Sequence, residues 1–334
     1  MKGGDFVKRR ILIPLLILLL CTLFFVGCDI SDIGSGETPL TVDVTYVLNN
    51  GEADITETVT TLIGIVKTPT PKKENYIFSG WYQNKALTRP FDINTALKSD
   101  LTLYAAWTFD YETYVNSAKN LLLPATVKID AYTYTSGIFS TTITSSRSGS
   151  GVVVYKDNKY YYVLTNNHVT YLTAGGNKAY TVTDIYEKQY EATLLYASAE
   201  YDLSLLRIKI DAMSTPLTVA SFATEDALPG DICMAIGSPG GIRNSMTLGK
   251  IKLIRNVELS ENEKDSSNVT FDVLWHTAPI DHGSSGGALF GDDFTLIGIN
   301  YAAAVENDSF YEGYTVPISR VREFLRLTVL KEYF

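Results

Sequence analysis

Beyond a stretch with helical spacing at Tyr111 to Leu123, the chain becomes one short alternating or apolar stretch after another, each broken by turn residues. Helical spacing returns only near Ile318 to Val329. Side chains alternate across a strand, so runs of this kind predict an all-β barrel layout closed by a terminal helix. Cys21, Cys28 and Cys233 are the only cysteines, too few and too scattered for a disulfide framework. Three dispersed histidines do not supply a structural zinc site either, so stability must come from packing. With 334 residues, 46% of them hydrophobic, the chain can bury one large core and a second small one. A formal net charge of -9 makes it a poor partner for nucleic acid.

The N-terminus is a different kind of sequence. Lys8-Arg9-Arg10 precedes an unbroken apolar run from Ile11 to Gly27, the charged and hydrophobic regions of a secretory signal. The remainder is therefore expected outside the cytoplasm. The run ends Phe25-Val26-Gly27-Cys28 and resembles a bacterial lipobox, with Phe25 where leucine is usual. That resemblance implies a lipoprotein signal peptide over 1–27, a diacylglyceryl group on Cys28 and a further acyl chain, such as palmitate, on the new amino terminus. Two or more chains give a stable anchor on the extracytoplasmic face of the cell membrane. An uncleaved signal anchor, for which the run is short, and an ordinary secretory signal with an incidental cysteine are the other readings. Cys21, inside the run, is read as a small apolar residue. Residues 28–38, rich in Ser, Gly, Asp and Glu, read as a solvated tether.

Residues 39–107 read as a small β module. Thr41 to Leu48 alternates and leads into Asn49-Asn50-Gly51, a strand entering a hairpin. Ile55 to Val66 follows, then Tyr76 to Tyr82 and Leu101 to Trp107, aromatic stretches suited to strands. Phe78-Ser79-Gly80-Trp81-Tyr82, Pro90-Phe91-Asp92 and the closing Leu101-Thr102-Leu103-Tyr104-Ala105-Ala106-Trp107 resemble the internalin-type B-repeat, or Listeria-Bacteroides repeat, of bacterial surface proteins. The resemblance implies a β-grasp-like fold and a spacer or adhesive role. Trp81, Tyr82 and Trp107 are read as core, with a binding face as the alternative. Residues 108–122 are a helical linker, and 123–334 form the main domain.

In that domain Ser145 to Gly151 leads into Val152-Val153-Val154-Tyr155, and a hairpin at Asp157-Asn158-Lys159 returns as Tyr161 to Leu164. The returning element ends in Thr165-Asn166-Asn167-His168, which puts an imidazole at a barrel rim, where a general base meets solvent. Tyr201-Asp202 precedes the apolar strand Leu203 to Ile208, so a carboxylate sits where it could hold a neighbouring imidazole in one tautomer. Gly283-Ser284-Ser285-Gly286-Gly287 surrounds serine with glycines that let backbone N–H groups turn toward a developing oxyanion.

Together with Gly149-Ser150-Gly151-Val152, Gly230-Asp231 and Ala235-Ile236-Gly237-Ser238-Pro239, these motifs resemble the HtrA/Deg branch of trypsin-like, chymotrypsin-fold serine proteases from about Leu123 to Leu330. The resemblance implies a mainly β chain whose protease domain is a double six-stranded antiparallel β-barrel. It implies His168 and Asp202 from the first barrel, Ser285 from the second as nucleophile, and an oxyanion hole from the amides of Gly283 and Ser285. Ser284 stands where digestive relatives have an aspartate that pairs with a newly cut amino terminus, so activation by propeptide cleavage is not expected. Phe334 follows soon after the terminal helix, so PDZ domains, usual in the branch, and peptide gating through them are not expected. In the family the position six before the nucleophile marks the pocket floor. Here it is Pro279, followed by Ile280, and no acid is expected there. The strand Ile297 to Ala303 should supply the other wall through Asn300, Tyr301, Ala302 and Ala303, which predicts cleavage after small or medium apolar residues. His282 is read as a cleft-wall residue, with plain solvation as the alternative, and Cys233 as a buried core thiol.

The expectation is a surface-anchored serine endopeptidase that works through an acyl-enzyme on Ser285 on protein or peptide substrates, needing no cofactor and no metal. Quality control of misfolded exported protein is what the resemblance implies, and processing of specific surface proteins is the narrower alternative. Relatives are often trimeric, and Tyr111 to Gly137 is where a homo-oligomer contact would be sought. The competing reading is a surface binding protein whose protease fold has lost activity and whose B-repeat-like module does the work.

Overall fold

The computed structural model describes residues 40–61, 67–137, 140–211, 215–238, 244–257, 264–306 and 309–334. The expected signal peptide, Cys28 and the tether lie outside the described residues, as does Pro239.

Four strands make the N-terminal sheet: β1 (Leu40–Val47), β2 (Ile55–Thr61), β3 (Tyr76–Tyr82) and β4 (Leu101–Phe109), in the order β2-β1-β4-β3. The β1–β2 turn uses Asn49 and Gly51 at positive φ, as their residue types allow. Strands β1 and β4 run parallel and the other pairs antiparallel. Alternation along β1 turns Val42, Val44 and Tyr46 inward against Trp81, Leu103 and Ala105. Trp81 belongs to this core, and its indole donates to the Pro69 carbonyl at 3.0 Å. Trp107 and Tyr82 are half-buried, with the Trp107 indole donating to Leu48 O at 2.9 Å.

Helix α1 (Tyr111–Leu121) follows at once, capped by the Asp110 carboxylate, which accepts from the Thr113 amide at 3.0 Å. A 3-10 turn (Leu123–Ala125) leads into the first closed barrel: β5 (Thr126–Ser136), β6 (Thr141–Lys156), β7 (Tyr160–Thr165), β8 (Asn177–Thr183), β9 (Gln189–Ser198) and β10 (Leu203–Lys209). The short helix α2 (Asn167–Thr170) lies between β7 and β8. The second closed barrel contains β11 (Ile232–Gly237), β12 (Ser245–Arg255), β13 (Val273–His276), β14 (Ala288–Gly291), β15 (Leu296–Glu306) and β16 (Ser309–Pro317). All pairings in both barrels are antiparallel, and helix α3 (Ile318–Arg326) packs Ile318, Val321, Phe324 and Leu325 inward. The double six-stranded barrel is the fold the sequence resemblance implied.

Facing strands are buried on both sides, which explains why Val152-Val153-Val154 does not alternate in polarity. Val153 points into the first barrel with Ile129 and Val163, while Val152 and Val154 join the core between the barrels with Leu203, Met234, Ile236 and Phe290. In β11 the same division puts Cys233 and Ala235 inside the second barrel. Burial pushes the Cys233 thiol up to about 12, an inert core thiol as expected.

The N-terminal sheet is docked on the turn between β14 and β15. Asn75 donates to Asp292 O at 2.7 Å, and the Tyr76 hydroxyl donates to the Asp292 carboxylate. From α1, the Tyr114 hydroxyl donates to Gly291 O at 2.6 Å and its ring stacks on Phe294. The helical segment is thus packed against the second barrel along its inner face.

His276, on β13 opposite Gly313, is fully buried, with the Asn300 side chain and the Ala278 amide as polar neighbours and no well-directed hydrogen bond on either ring nitrogen. Burial is the main cause that lowers its pKa from 6.5 to about 4. Protonation therefore favours the unfolded chain, so stability is full above the unfolded value and declines as pH falls toward the folded one. Denaturant titrations at about pH 7.5 and about pH 5 should show the wild type losing roughly 2 kcal/mol more than His276→Leu. Equal losses in the two proteins would mean that His276 contributes nothing to the acid limb.

Candidate active site

Strand β7 ends at Thr165, and α2 then turns the chain so that His168 stands at the rim between the barrels. Asp202 sits just ahead of β10 at φ 48°, a left-handed conformation that aspartate tolerates better than most residues. The Asn166 amide group donates to Asp202 O at 2.8 Å, and Asp202 N donates to Ala199 O at 3.1 Å, which hold that turn.

The Asp202 carboxylate is fully buried, and a buried polar group is costly unless it is hydrogen-bonded. It has three donors. His168 N donates to Oδ1 at 2.9 Å, while His168 Nδ1 and the Ser267 hydroxyl meet Oδ2 at 2.8 and 2.9 Å. A carboxylate accepting from Nδ1 fixes the tautomer and leaves Nε2 as the basic nitrogen. Asn167 ties the same helix to Ser266 O at 2.7 Å.

Ser285 enters from the loop between β13 and β14. Gly286 follows at φ 81°, and a Cβ there would meet Ser150 O and Thr165 Oγ1 at 2.2 Å, so only glycine allows the approach. Ser284 is buried, and its hydroxyl accepts from the Asp281 amide at 3.2 Å. It therefore serves the turn, and Ser285 is the serine that faces the cleft. The Ser285 hydroxyl lies 3.4 Å from Tyr301 O, a long contact that leaves it free to rotate.

The amides of Ser284, Gly286 and Gly287 donate to Asp281, Asn300 and Ser284 carbonyls. Among the described residues, those of Gly283 and Ser285 have no acceptor, and these are the two expected to form an oxyanion hole. One residue of β6 organises the loop. Ser150 N donates to Ser285 O at 2.8 Å, and its hydroxyl donates to Gly283 O at 2.6 Å while accepting from Ser238 N at 2.8 Å.

His168 and Ser285 line one cavity of about 430 Å³, together with Ile280, His282, Tyr301, Ala302 and Ala303 from the expected walls. Two expected wall residues are elsewhere. Asn300 is fully buried, its side chain bonded to Ala288 O and the Thr315 hydroxyl, because its strand register turns it into the barrel. Pro279 is exposed, its carbonyl accepting from Thr247 at 2.7 Å. Arg147, Ser266, Ser267 and Asp281 line the cavity without having been singled out from the sequence. Asp281 puts a carboxylate on the cavity lining, two residues after Pro279, the position where no acid was expected. Only its place in the loop leading to Ser285 could have flagged it, and nothing local marks Arg147 or Ser267.

Among known proteins, residues 149–299 match the trypsin-like peptidase domain, a span that includes His168, Asp202 and Ser285. Residues 43–106 match the Listeria-Bacteroides repeat domain. Over 183 residues the chain is 31% identical to the serine protease Do-like HtrA of Bacillus subtilis, covering 54% of this chain and 38% of that protein. It is also 31% identical over 181 residues to the magnetosome formation protease MamE of Paramagnetospirillum magneticum, covering 53% of this chain and 23% of that protein. The chain thus spans well under two thirds of the length of these relatives. A solved structure of a protease from M. tuberculosis in its active form aligns with a TM-score of 0.53 at 25% identity, over 66% of this chain and 87% of that one.

Replacing Ser150 by alanine leaves Gly283 O and the buried Ser238 amide without a partner. The expected result is a loss of about 1–3 kcal/mol in the free energy of unfolding, read from denaturant curves. An unchanged midpoint would show that the seam does not depend on this hydroxyl.

Proposed function

We propose that this chain, which carries a trypsin-like peptidase domain, is a serine endopeptidase that hydrolyses peptide bonds through an acyl-enzyme on Ser285. One observation supports the reading: the Asp202-oriented imidazole of His168 and Ser285 line one cleft, and the neighbouring amides of Gly283 and Ser285 have no acceptor among the described residues. In the proposed mechanism the Ser285 proton passes to His168 Nε2, the nitrogen that Asp202 leaves free. The oxygen then attacks the substrate carbonyl, and the charge that develops is met by the two amides. Asp202 stabilises the imidazolium, which passes its proton to the departing amine, and the carbonyl re-forms as the acyl-enzyme. Water repeats the sequence with His168 as base, releasing the acid and restoring the Ser285 hydroxyl. Neither a metal nor an organic cofactor enters these steps.

Cleavage after small or medium apolar residues is the proposed preference, because Ile280, Ala302 and Ala303 present apolar wall beside Ser285. The purified full-length chain, treated with a fluorophosphonate and digested, should carry a single adduct on Ser285 that is absent from Ser285→Ala. His168→Ala should slow labelling by about a thousandfold or more. A peptide library cleaved equally after lysine or arginine would overturn the pocket reading. Absence of any adduct would favour the alternative, a binding protein that has lost its activity.

Anchoring belongs to the same proposal. The basic Lys8-Arg9-Arg10, the apolar run and Cys28 support a lipid anchor that holds the enzyme on the extracytoplasmic face of the membrane, spaced by 28–38 and the small β module. Cys28→Ala should move the protein out of the detergent phase and abolish incorporation of a labelled fatty acid. Retention of both in the variant would point to an uncleaved signal anchor or to acylation elsewhere.

A further inference from the structure

Arg147 lies on the exposed part of β6, two residues ahead of Gly149, and its side chain reaches the cleft wall beside His168 and Ser285. One guanidinium nitrogen, Nη1, donates to His168 O at 2.9 Å, which fixes the group on the imidazole side of the cleft. A guanidinium has five N–H donors, so most of its bonding capacity remains. Among the described residues no carboxylate pairs with Arg147.

The side of the cleft has chemical meaning. The imidazole that removes the serine proton delivers it to the leaving amine, so the leaving half of a peptide must lie on the His168 side of Ser285. The acyl half lies against Ile280, Ala302 and Ala303, beside the loop that carries Asp281. The cleft therefore has an unpaired cation toward the leaving group and a carboxylate on the loop toward the acyl group.

We infer that Arg147 selects substrates with a carboxylate within the first two residues after the scissile bond, supplied by an aspartate or glutamate side chain or by the end of the substrate chain. The inference rests on the peptidase reading above. A guanidinium offers a carboxylate two parallel charge-assisted hydrogen bonds. At this solvent-facing rim the gain is about two- to fivefold in kcat/KM over the matching amide.

The experiment uses the full-length chain and quenched fluorescent peptides with a fixed apolar residue before the bond. Glu, Gln or Lys stands at the first or second position after it, in amidated peptides. A matched set ending within two residues, free or amidated, separates the side chain from the chain end as the source. The expected result is a preference for Glu over Gln that vanishes in Arg147→Gln, persists in part in Arg147→Lys, and turns toward Lys in Arg147→Glu. The ratio is the readout, because a residue that merely supported His168 would slow every peptide alike and leave it unchanged. Equal ratios in the wild type and Arg147→Gln, or a wild type indifferent to charge, would overturn the inference. Fluorophosphonate labelling in parallel separates its failure from that of the peptidase reading. If Ser285 does not label, fluorescence anisotropy of the same peptides decides: a charge preference lost in Arg147→Gln upholds the selection, and no preference or no binding overturns it.

Discussion

A closed barrel has no free strand edge, so two barrels cannot join by strand pairing, and a backbone bond between them comes from a loop of one meeting the wall of the other. Here that bond runs through Ser150, whose amide and hydroxyl meet Ser285 O and Gly283 O and whose hydroxyl also accepts from Ser238 at the end of β11. The approach is close enough that a Cβ on Gly149 would lie 2.6 Å from Val169 and 2.9 Å from Ser285 O. Around this polar seam the apolar faces of β6, β7 and β10 close against β11 and β14. The seam is therefore both part of the barrel interface and the frame of the cleft, and the serine loop is held by its own barrel and by Ser150 of the first.

The buried carboxyl group behind the His168 imidazole depends on the same frame. Asp202 is held in place because α2, the turn before β10 and the segment carrying Ser267 each bring it a donor or fix its backbone. Residues 34 and 65 positions away in sequence from Asp202 converge on one carboxylate. A carboxylate held by three donors has few alternative arrangements, which orients the imidazole bonded to it. His276 is the contrasting case, a buried ring without comparable partners whose neutral form the interior favours.

The N-terminal sheet is more than a bead on a string. Its Asn75 and Tyr76 meet Asp292, and Phe109 and Tyr114 continue the aromatic contact to Phe294 beside the same turn. That turn closes β14, the strand that starts three residues after Ser285. The small module is thus built onto the barrel that carries the serine loop, on the far end of the same strand.

The two amphipathic helices, the succession of strands and the order of His168, Asp202 and Ser285 were legible in the sequence, because each is a local pattern. Periodicity reports which face of an element is buried, and glycines around a serine report a backbone that must turn sharply. What local pattern does not carry is which element lies across from which. Asn300 and Tyr301 are neighbours in the chain, yet pairing with β14 and β16 turns the Asn300 amide inward and leaves the Tyr301 carbonyl facing Ser285. Pro279 reads as a pocket floor by position alone, and the loop's path puts it outside. Ser267, Arg147 and the Asp292 clip depend on contacts between residues distant in sequence, and their types recur throughout the chain. The sequence by itself determined the strands, their buried faces and the chain order of His168, Asp202 and Ser285. Only the tertiary structure decided the register of the barrel walls, the donors around Asp202 and the cation beside His168, because those depend on closure of the barrels and not on the periodicity of any one strand.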